Sequence, residues 1–167
     1  MKEAVLIIIK PEGMVRRIIG DIFKMFSTSQ LELIGIRMIQ VDRKKAAIHY
    51  EHIKGKPFYG RLMSHFMGKY HGCNRLLAFV YYGQDAIKKC RRIAGATNPL
   101  EAKPQTIRGK FGRVTKKDVY ENVVHVSSDG REAKREIQLW FEPGDIVVNI
   151  YKTKKQKSGT NTEAVWA

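Results

Sequence analysis

Residues 4–9 are uniformly apolar, a run that suits a central strand buried on both faces. Lys10-Pro11-Glu12-Gly13 ends it, because proline has no N–H with which to continue a ladder. Val15, Ile18, Ile19, Ile22, Phe23 and Phe26 then recur at helical spacing. Residues 31–41, rich in Leu, Ile and Met, predict a second strand. Asp42 is placed to cap a short helix with Ala46, Ala47 and Tyr50 on one side. Pro57 suits the first turn of a further helix, in which Phe58, Leu62, Phe66 and Met67 follow the helical period. Residues 76–82 predict the third strand, and Ala86, Ile87, Cys90, Ile93 and Ala94 mark an amphipathic helix stopped near Gly95.

Residues 95–121 lose this periodicity and contain Pro99, Pro104, Gly109 and Gly112, which predicts a long loop with a working role. A short fourth strand follows at 122–126. Ser127, Ser128 or Asp129 can cap the helix beyond it, whose apolar face is Ala133, Ile137 and Trp140 and which runs to about Phe141. The order β-α-β-(α-α)-β-α-β-α predicts an α+β domain over residues 1–151: a ferredoxin-like βαββαβ antiparallel sheet with packed helices. Residues 152–167 are Lys-, Ser-, Thr-, Asn- and Gly-rich, with Val165 and Trp166 as the only anchors, and predict a basic, flexible tail.

Composition adds constraints. The 167 residues fit one domain, and 43% hydrophobic content supplies a core. No run is long enough for a membrane helix, and the first residues do not read as a secretory signal. With two cysteines, Cys73 and Cys90, the chain is expected to be cytoplasmic with reduced thiols. The net charge of +15 is spread over Arg16-Arg17, Arg43-Lys44-Lys45, Lys88-Lys89 with Arg91-Arg92, Lys116-Lys117 and the lysines between 152 and 157. Such a field attracts polyanions, so weak, nonspecific nucleic-acid binding is expected beside any small phosphate ligand.

Neither common phosphate loop is present: G-x-x-x-x-G-K-[ST] and G-x-G-x-x-G are both absent. Candidates are therefore polar residues at strand ends and in the long loop. Of the five histidines, His125 interrupts an apolar strand just before a helix N-terminus, a place suited to a nucleophilic imidazole and a developing phosphate charge. Taken alone, such a residue is more often a packed core histidine. Lys10 follows the buried strand, and Arg108 in the loop suits a bidentate phosphate contact. His49 and His52 on one helix, and His65, His71 and Cys73, lack the compact spacing of a structural zinc site, so no protein-held metal is expected.

Taken together, the segments Ile8-Ile9-Lys10-Pro11-Glu12-Gly13, His49-Tyr50, Lys56-Pro57-Phe58, Gly95-Ala96-Thr97-Asn98-Pro99, Lys103-Pro104 with Thr106-Ile107-Arg108-Gly109, Asn122-Val123-Val124-His125, and Glu136-Ile137 leading to Trp140-Phe141 resemble the nucleoside diphosphate kinase family in order and spacing. The resemblance implies a ping-pong kinase with His125 as the phosphate-accepting nucleophile. It implies that Glu136 orients the imidazole with Ser127, and that Lys10, Tyr50, Arg91, Thr97, Arg108 and Asn122 hold phosphates and ribose. Phe58, with Leu62, would carry the base. It further implies Mg²⁺ on the nucleotide phosphates and a homo-oligomer, a hexamer built from dimers.

Three departures stand out. The nucleophile is followed by Val126-Ser127-Ser128-Asp129 instead of Gly-Ser-Asp or Ala-Ser-Asp, which leaves Ser127 and Ser128 as alternatives for the motif serine. Arg108-Gly109-Lys110-Phe111 carries a lysine where the family has an aspartate. The stretch from Arg108 to Asn122 is a few residues longer than usual. A nucleic-acid-binding module is the rival reading, but Lys110 stands where an RNA-recognition strand needs an aromatic. A catalytically dead relative is a second rival, opposed by the presence of His125, Lys10 and Arg108.

Overall fold

The computed structural model describes residues 1–116, 119–158 and 161–167. The elements run β1 (Lys2–Ile9), α1 (Pro11–Val15), α2 (Ile19–Ser27), β2 (Glu32–Gln40), α3 (Arg43–His49), α4 (Tyr59–Phe66), β3 (Arg75–Gln84), α5 (Ala86–Ala94), α6 (Ile107–Phe111), β4 (Arg113–Val114), β5 (Tyr120–Glu121), β6 (Val124–Val126), α7 (Gly130–Trp140), β7 (Thr153–Ser158) and β8 (Asn161–Trp166). The main sheet has the order β2-β3-β1-β6 with every pairing antiparallel, the predicted ferredoxin-like arrangement.

The continuous apolar run of β1 follows from its central place. Val5, Ile7 and Ile9 face one core layer with Ile22 and Phe26 of α2 and Ile87 and Cys90 of α5. Ala4, Leu6 and Ile8 face the other, with Ala46 of α3, Phe66 of α4 and Ile137 and Trp140 of α7. With both faces covered, the strand has no polar alternation to show. Asp42 caps α3 as expected, accepting from the Lys45 N–H at 2.8 Å. Asp129 is the residue that caps α7, accepting from the Glu132 N–H.

Three segments differ from expectation. Helix α4 begins at Tyr59, leaving Pro57 and Phe58 in the turn before it. The long loop is partly regular: it holds a 3₁₀ turn at Pro99–Glu101, α6, and the paired strands β4 and β5. Each is one turn or one pair long, too short to write a period into the sequence. Lys117 of the Lys116-Lys117 cluster lies outside the described residues. The tail expected to be flexible forms a hairpin, β7 with β8, in which Thr153 pairs with Trp166; residues 159–160 lie outside the described residues. Trp166 fastens it. Its indole N–H donates to the Phe141 carbonyl at 2.7 Å, and its ring meets Tyr151 edge-on at 6.1 Å. A single aromatic anchor outweighs the polar composition around it.

Replacing Trp166 with alanine should therefore lower stability by about 1–2 kcal/mol, less than the ~3–5 kcal/mol typical of a fully enclosed tryptophan. Urea unfolding checks this; an unchanged midpoint would mean that the hairpin does not dock.

Candidate active site

Strand register sets the direction of His125. It pairs directly with Ile8, between Val124 opposite Ile9 and Val126 opposite Ile7. Directly opposed residues share a face, so His125 points with Ile8 toward α7 while the flanking valines enter the other core layer. There its Nε2 lies 2.8 Å from Glu136 Oε1. The other Glu136 oxygen, Oε2, accepts from the Ser127 hydroxyl at 2.6 Å, and that hydroxyl accepts the Leu6 N–H at 3.2 Å. Ser127 is thus the serine that contacts Glu136, whereas Ser128 is exposed and bonds Asp129. Burial alone would raise the Glu136 carboxyl, but His125, Ser127 and Arg135 together bring it below its ordinary value. Glu136 is held as a carboxylate, and its grip on Nε2 leaves Nδ1 as the His125 nitrogen available to a reaction partner.

His49, in the sequence reading only part of a motif, is a neighbour of this pair. Its ring meets His125 edge-on at 4.6 Å and stacks on Phe66 at 5.4 Å, and its Nδ1 accepts from the Trp140 indole at 3.2 Å. Burial holds His49 well below the ordinary imidazole value, so it stays neutral and brings no competing charge to Glu136.

The cations come from elsewhere. Lys10 emerges at the end of β1, buried, and donates to Asn122 Oδ1 at 2.6 Å; the Asn122 amide in turn donates to the Thr97 carbonyl at 3.0 Å. Arg108 is buried on α6, where Nη1 donates to the Gly95 carbonyl at 2.7 Å and Nη2 to the Val124 carbonyl at 3.0 Å. Two glycines permit this anchorage. A Cβ at Gly95, whose φ is +86°, would meet Thr106 Oγ1 at 2.3 Å, and one at Gly109 would meet the Lys103 carbonyl at 2.0 Å. Among the described residues neither Lys10 nor Arg108 has a carboxylate at ion-pairing distance, and Arg108 Nε has no partner. Burial lowers Lys10 to about 8 and Arg108 to about 10. Glu12 acts on Lys10 only through space, so two buried cations that make no direct ion pair among the described residues suit an anion.

Between Asn122 and β6, Val123 has a φ of +57°, a strained backbone for a β-branched residue. It is held from both sides: the Val123 N–H donates to Glu12 Oε1 at 3.1 Å and its carbonyl accepts the Lys10 N–H at 2.9 Å. Glu12 is a supporting residue that sequence reasoning missed, since its partner belongs to a different element.

These groups line one cavity of about 780 Å³, within the usual size of a ligand pocket. Lys10, Arg108, Asn122, His125 and Glu136 form part of its wall, with Tyr50 beside them. Arg91, Thr97, Phe58 and Leu62 line it too, Phe58 being about half exposed. Every predicted site residue is therefore brought together except Ser127, which acts on Glu136 from behind. Tyr120 and Arg61 also line the cavity and were not anticipated. Lys110, the charge reversal next to Arg108, is exposed and lies over the Phe111 ring at 5.1 Å, away from the lining. Among the described residues the two lining carboxylates, Glu132 and Glu136, are committed to Arg135 and to His125 with Ser127. Among these residues the cavity thus offers cations to anionic groups but no free oxygen cage to Mg²⁺.

An antiparallel α+β domain with an oriented imidazole facing a cationic, part-aromatic cavity defines a phosphotransferase of nucleotides. The sequence profile described as nucleoside diphosphate kinase matches residues 3–146, and the chain belongs to the nucleoside diphosphate kinase family. The nucleoside diphosphate kinase of Pyrococcus furiosus is 38% identical over 160 residues, covering 92% of this chain and 96% of its own. Among solved structures, the Halobacterium salinarum enzyme in complex with CDP aligns with a TM-score of 0.79 at 32% identity, over 89% of this chain and 93% of its own. The Borrelia burgdorferi enzyme, a transition-state mimic with bound vanadate and ADP, aligns at 0.78 and 31% identity, over 90% of this chain and 92% of its own.

The lowered Lys10 gives a pH dependence. An unfolded lysine titrates near ~10.4, so from about 8 up to that value the unfolded chain holds the extra proton and folding stability rises with pH. The positive charge that Lys10 brings to the cavity is lost across the same window. Nucleotide affinity should therefore fall as pH rises through about 8 while stability gains from this group, and Lys10→Met should lose that step in affinity. Calorimetric titration with ADP across the window tests it; an affinity that is flat with pH would refute the assignment.

Proposed function

We propose that this chain moves the terminal phosphate of a nucleoside triphosphate to a nucleoside diphosphate by a ping-pong reaction through phosphorylated His125. The observation that carries the reading is the 2.8 Å contact that commits Nε2 to Glu136 and leaves Nδ1 for a reaction partner, on a cavity shared with two buried cations that make no direct ion pair among the described residues. In the first half-reaction Nδ1 bonds to the γ-phosphorus as the bond to the β-phosphate oxygen breaks, and the diphosphate leaves. The imidazole keeps its proton on Nε2, where Glu136 offsets the positive charge. In the second half-reaction a terminal oxygen of another diphosphate attacks the same phosphorus and restores free His125. Splitting the transfer lets one site serve donor and acceptor.

Lys10, Arg108, Arg91, Thr97, Tyr50 and Asn122 act by positioning phosphates and ribose and by stabilising charge that moves between oxygens. The half-exposed ring of Phe58, with Leu62 on the helix behind it, accepts a base by stacking, which is tolerant of base identity. Mg²⁺ enters as part of the nucleotide substrate, because the lining carboxylates are already engaged. Three further parts belong to the same reading. The edge strand β2 leaves Ile36 and Met38 exposed, which supports assembly into a homo-oligomer, a hexamer by family resemblance. Both cysteines are free and no helix among the described residues is long and apolar enough to cross a membrane, which supports a cytoplasmic place. The net charge of +15 supports weak, salt-sensitive nucleic-acid binding outside the cavity.

Incubation with γ-labelled ATP should give an acid-labile, alkali-stable phosphoprotein. His125→Ala should abolish both this label and ATP-to-dTDP transfer with the fold intact by circular dichroism; normal labelling of the variant sinks the proposal. Arg108→Ala should lose ~10²–10³ in turnover, the scale of one charge-stabilising donor. Steady-state kinetics that change by less than a factor of about two would make Arg108 a structural residue.

A further inference from the structure

Outside the nucleotide cavity, three side chains from separate segments converge. Glu12 of α1 and His65 at the end of α4 are fully buried, and His71, in the turn after α4, is largely so. His65 Nε2 lies 3.6 Å from Glu12 Oε2 and 3.4 Å from His71 Nε2. On the far side of His71, Glu121 Oε1 is 3.5 Å from the same Nε2, its other oxygen paired with Arg113.

Hydrogen bonding among the described residues accounts for this cluster only in part, through the one His65–His71 contact. Glu12 uses Oε1 on the Val123 N–H, but among the described residues Oε2 has no hydrogen-bond partner, nor has His65 Nδ1. Unpaired buried polar atoms are costly, and the Glu12 oxygen that faces His65 makes no direct ion pair with a lysine or arginine among the described residues. The distances have a simple source. A tetrahedral ion with bonds of ~2.0–2.1 Å has ligand-to-ligand edges of ~3.3–3.4 Å, close to the 3.4 and 3.6 Å observed. We propose that Glu12, His65 and His71 form a binding site for a divalent transition-metal ion of the Zn²⁺ type, with Glu121 as a further carboxylate beside His71. Two imidazoles and a carboxylate suit such an ion and not Mg²⁺, which takes all-oxygen shells.

The loose spacing of His65 and His71 hid the site from the sequence, since its third ligand comes from the first helix. An ion here would tie α1, which follows Lys10, to the end of α4, which carries Leu62 and is preceded by Phe58. Glu121 immediately precedes Asn122. The ion would therefore brace the frame of the nucleotide cavity without touching a phosphate, and the inference does not depend on the phosphohistidine mechanism.

The test uses full-length protein freed of metal with chelator and titrated with Co²⁺. Wild type should bind one equivalent with the intense visible absorption of tetrahedral Co²⁺, and Zn²⁺ should displace it. Both His71→Ala and Glu12→Gln should lose this signal and weaken Zn²⁺ binding more than ~10-fold. Zn²⁺ should raise the Tm of wild type and not of His71→Ala. Should His71→Ala fail to fold by circular dichroism, His71→Gln replaces it. His49, His125 and Glu136 also lie close enough to share an ion, so the location matters. Absence of the Co²⁺ spectrum in wild type, or a spectrum that survives in the His71 variant and disappears in Glu136→Gln, overturns the proposal.

Discussion

Glu136 carries a carboxylate into the middle of the molecule, and the surrounding architecture follows from having to keep it there. A buried carboxylate is tolerated only when its oxygens are engaged. One oxygen faces His125 of β6, and the other takes the Ser127 hydroxyl, itself tied to the backbone of β1. Helix α7, which supplies Glu136, must therefore lie across the β1–β6 pair in one rotational setting, with Ile137 and Trp140 packed into the same layer. Trp140 then fixes His49 through its indole N–H, and Arg135 next to Glu136 bonds the carbonyls of Ile48 and His49 at the end of α3. A chemical group and a packing face are carried on adjacent residues of one helix, so stability and reactivity are set by the same contacts.

The cationic side of the cavity obeys the opposite logic. Lys10 and Arg108 are held by neutral acceptors, an amide oxygen and backbone carbonyls. Carboxylates in those places would stabilise the empty protein but would have to be displaced by phosphates. Neutral acceptors orient the cations and leave their charge unspent. The empty fold is less stable for it, and the difference is recovered when an anion binds.

Legibility in the sequence tracked how local each signal was. The six apolar residues of β1, the amphipathic faces of α2, α5 and α7 and the Asp42 cap could all be read, because each is written within a few consecutive residues. Helix α6 could not, being a single turn. The docking of the tail rests on Trp166 alone, whose partner carbonyl at Phe141 has no signature. Site residues were legible as a set through family resemblance; spacing alone left Lys10 and Arg108 indistinguishable from surface cations. Glu12 and His49 were overlooked as supports because what they hold, the Val123 N–H and the His125 ring, lies in another part of the chain.

The left-handed backbone at Val123 has a geometric consequence. Side chains along an extended strand alternate faces, so residues 122 and 125, an odd number apart, would ordinarily point in opposite directions. One left-handed residue between them resets the alternation, and Asn122 and His125 both line the same cavity. The kink works as a parity switch: it converts an odd separation into an even one without adding a residue. Removing one residue from this segment, or inserting one, would turn the imidazole toward the wrong core layer while every residue type in the site stayed present.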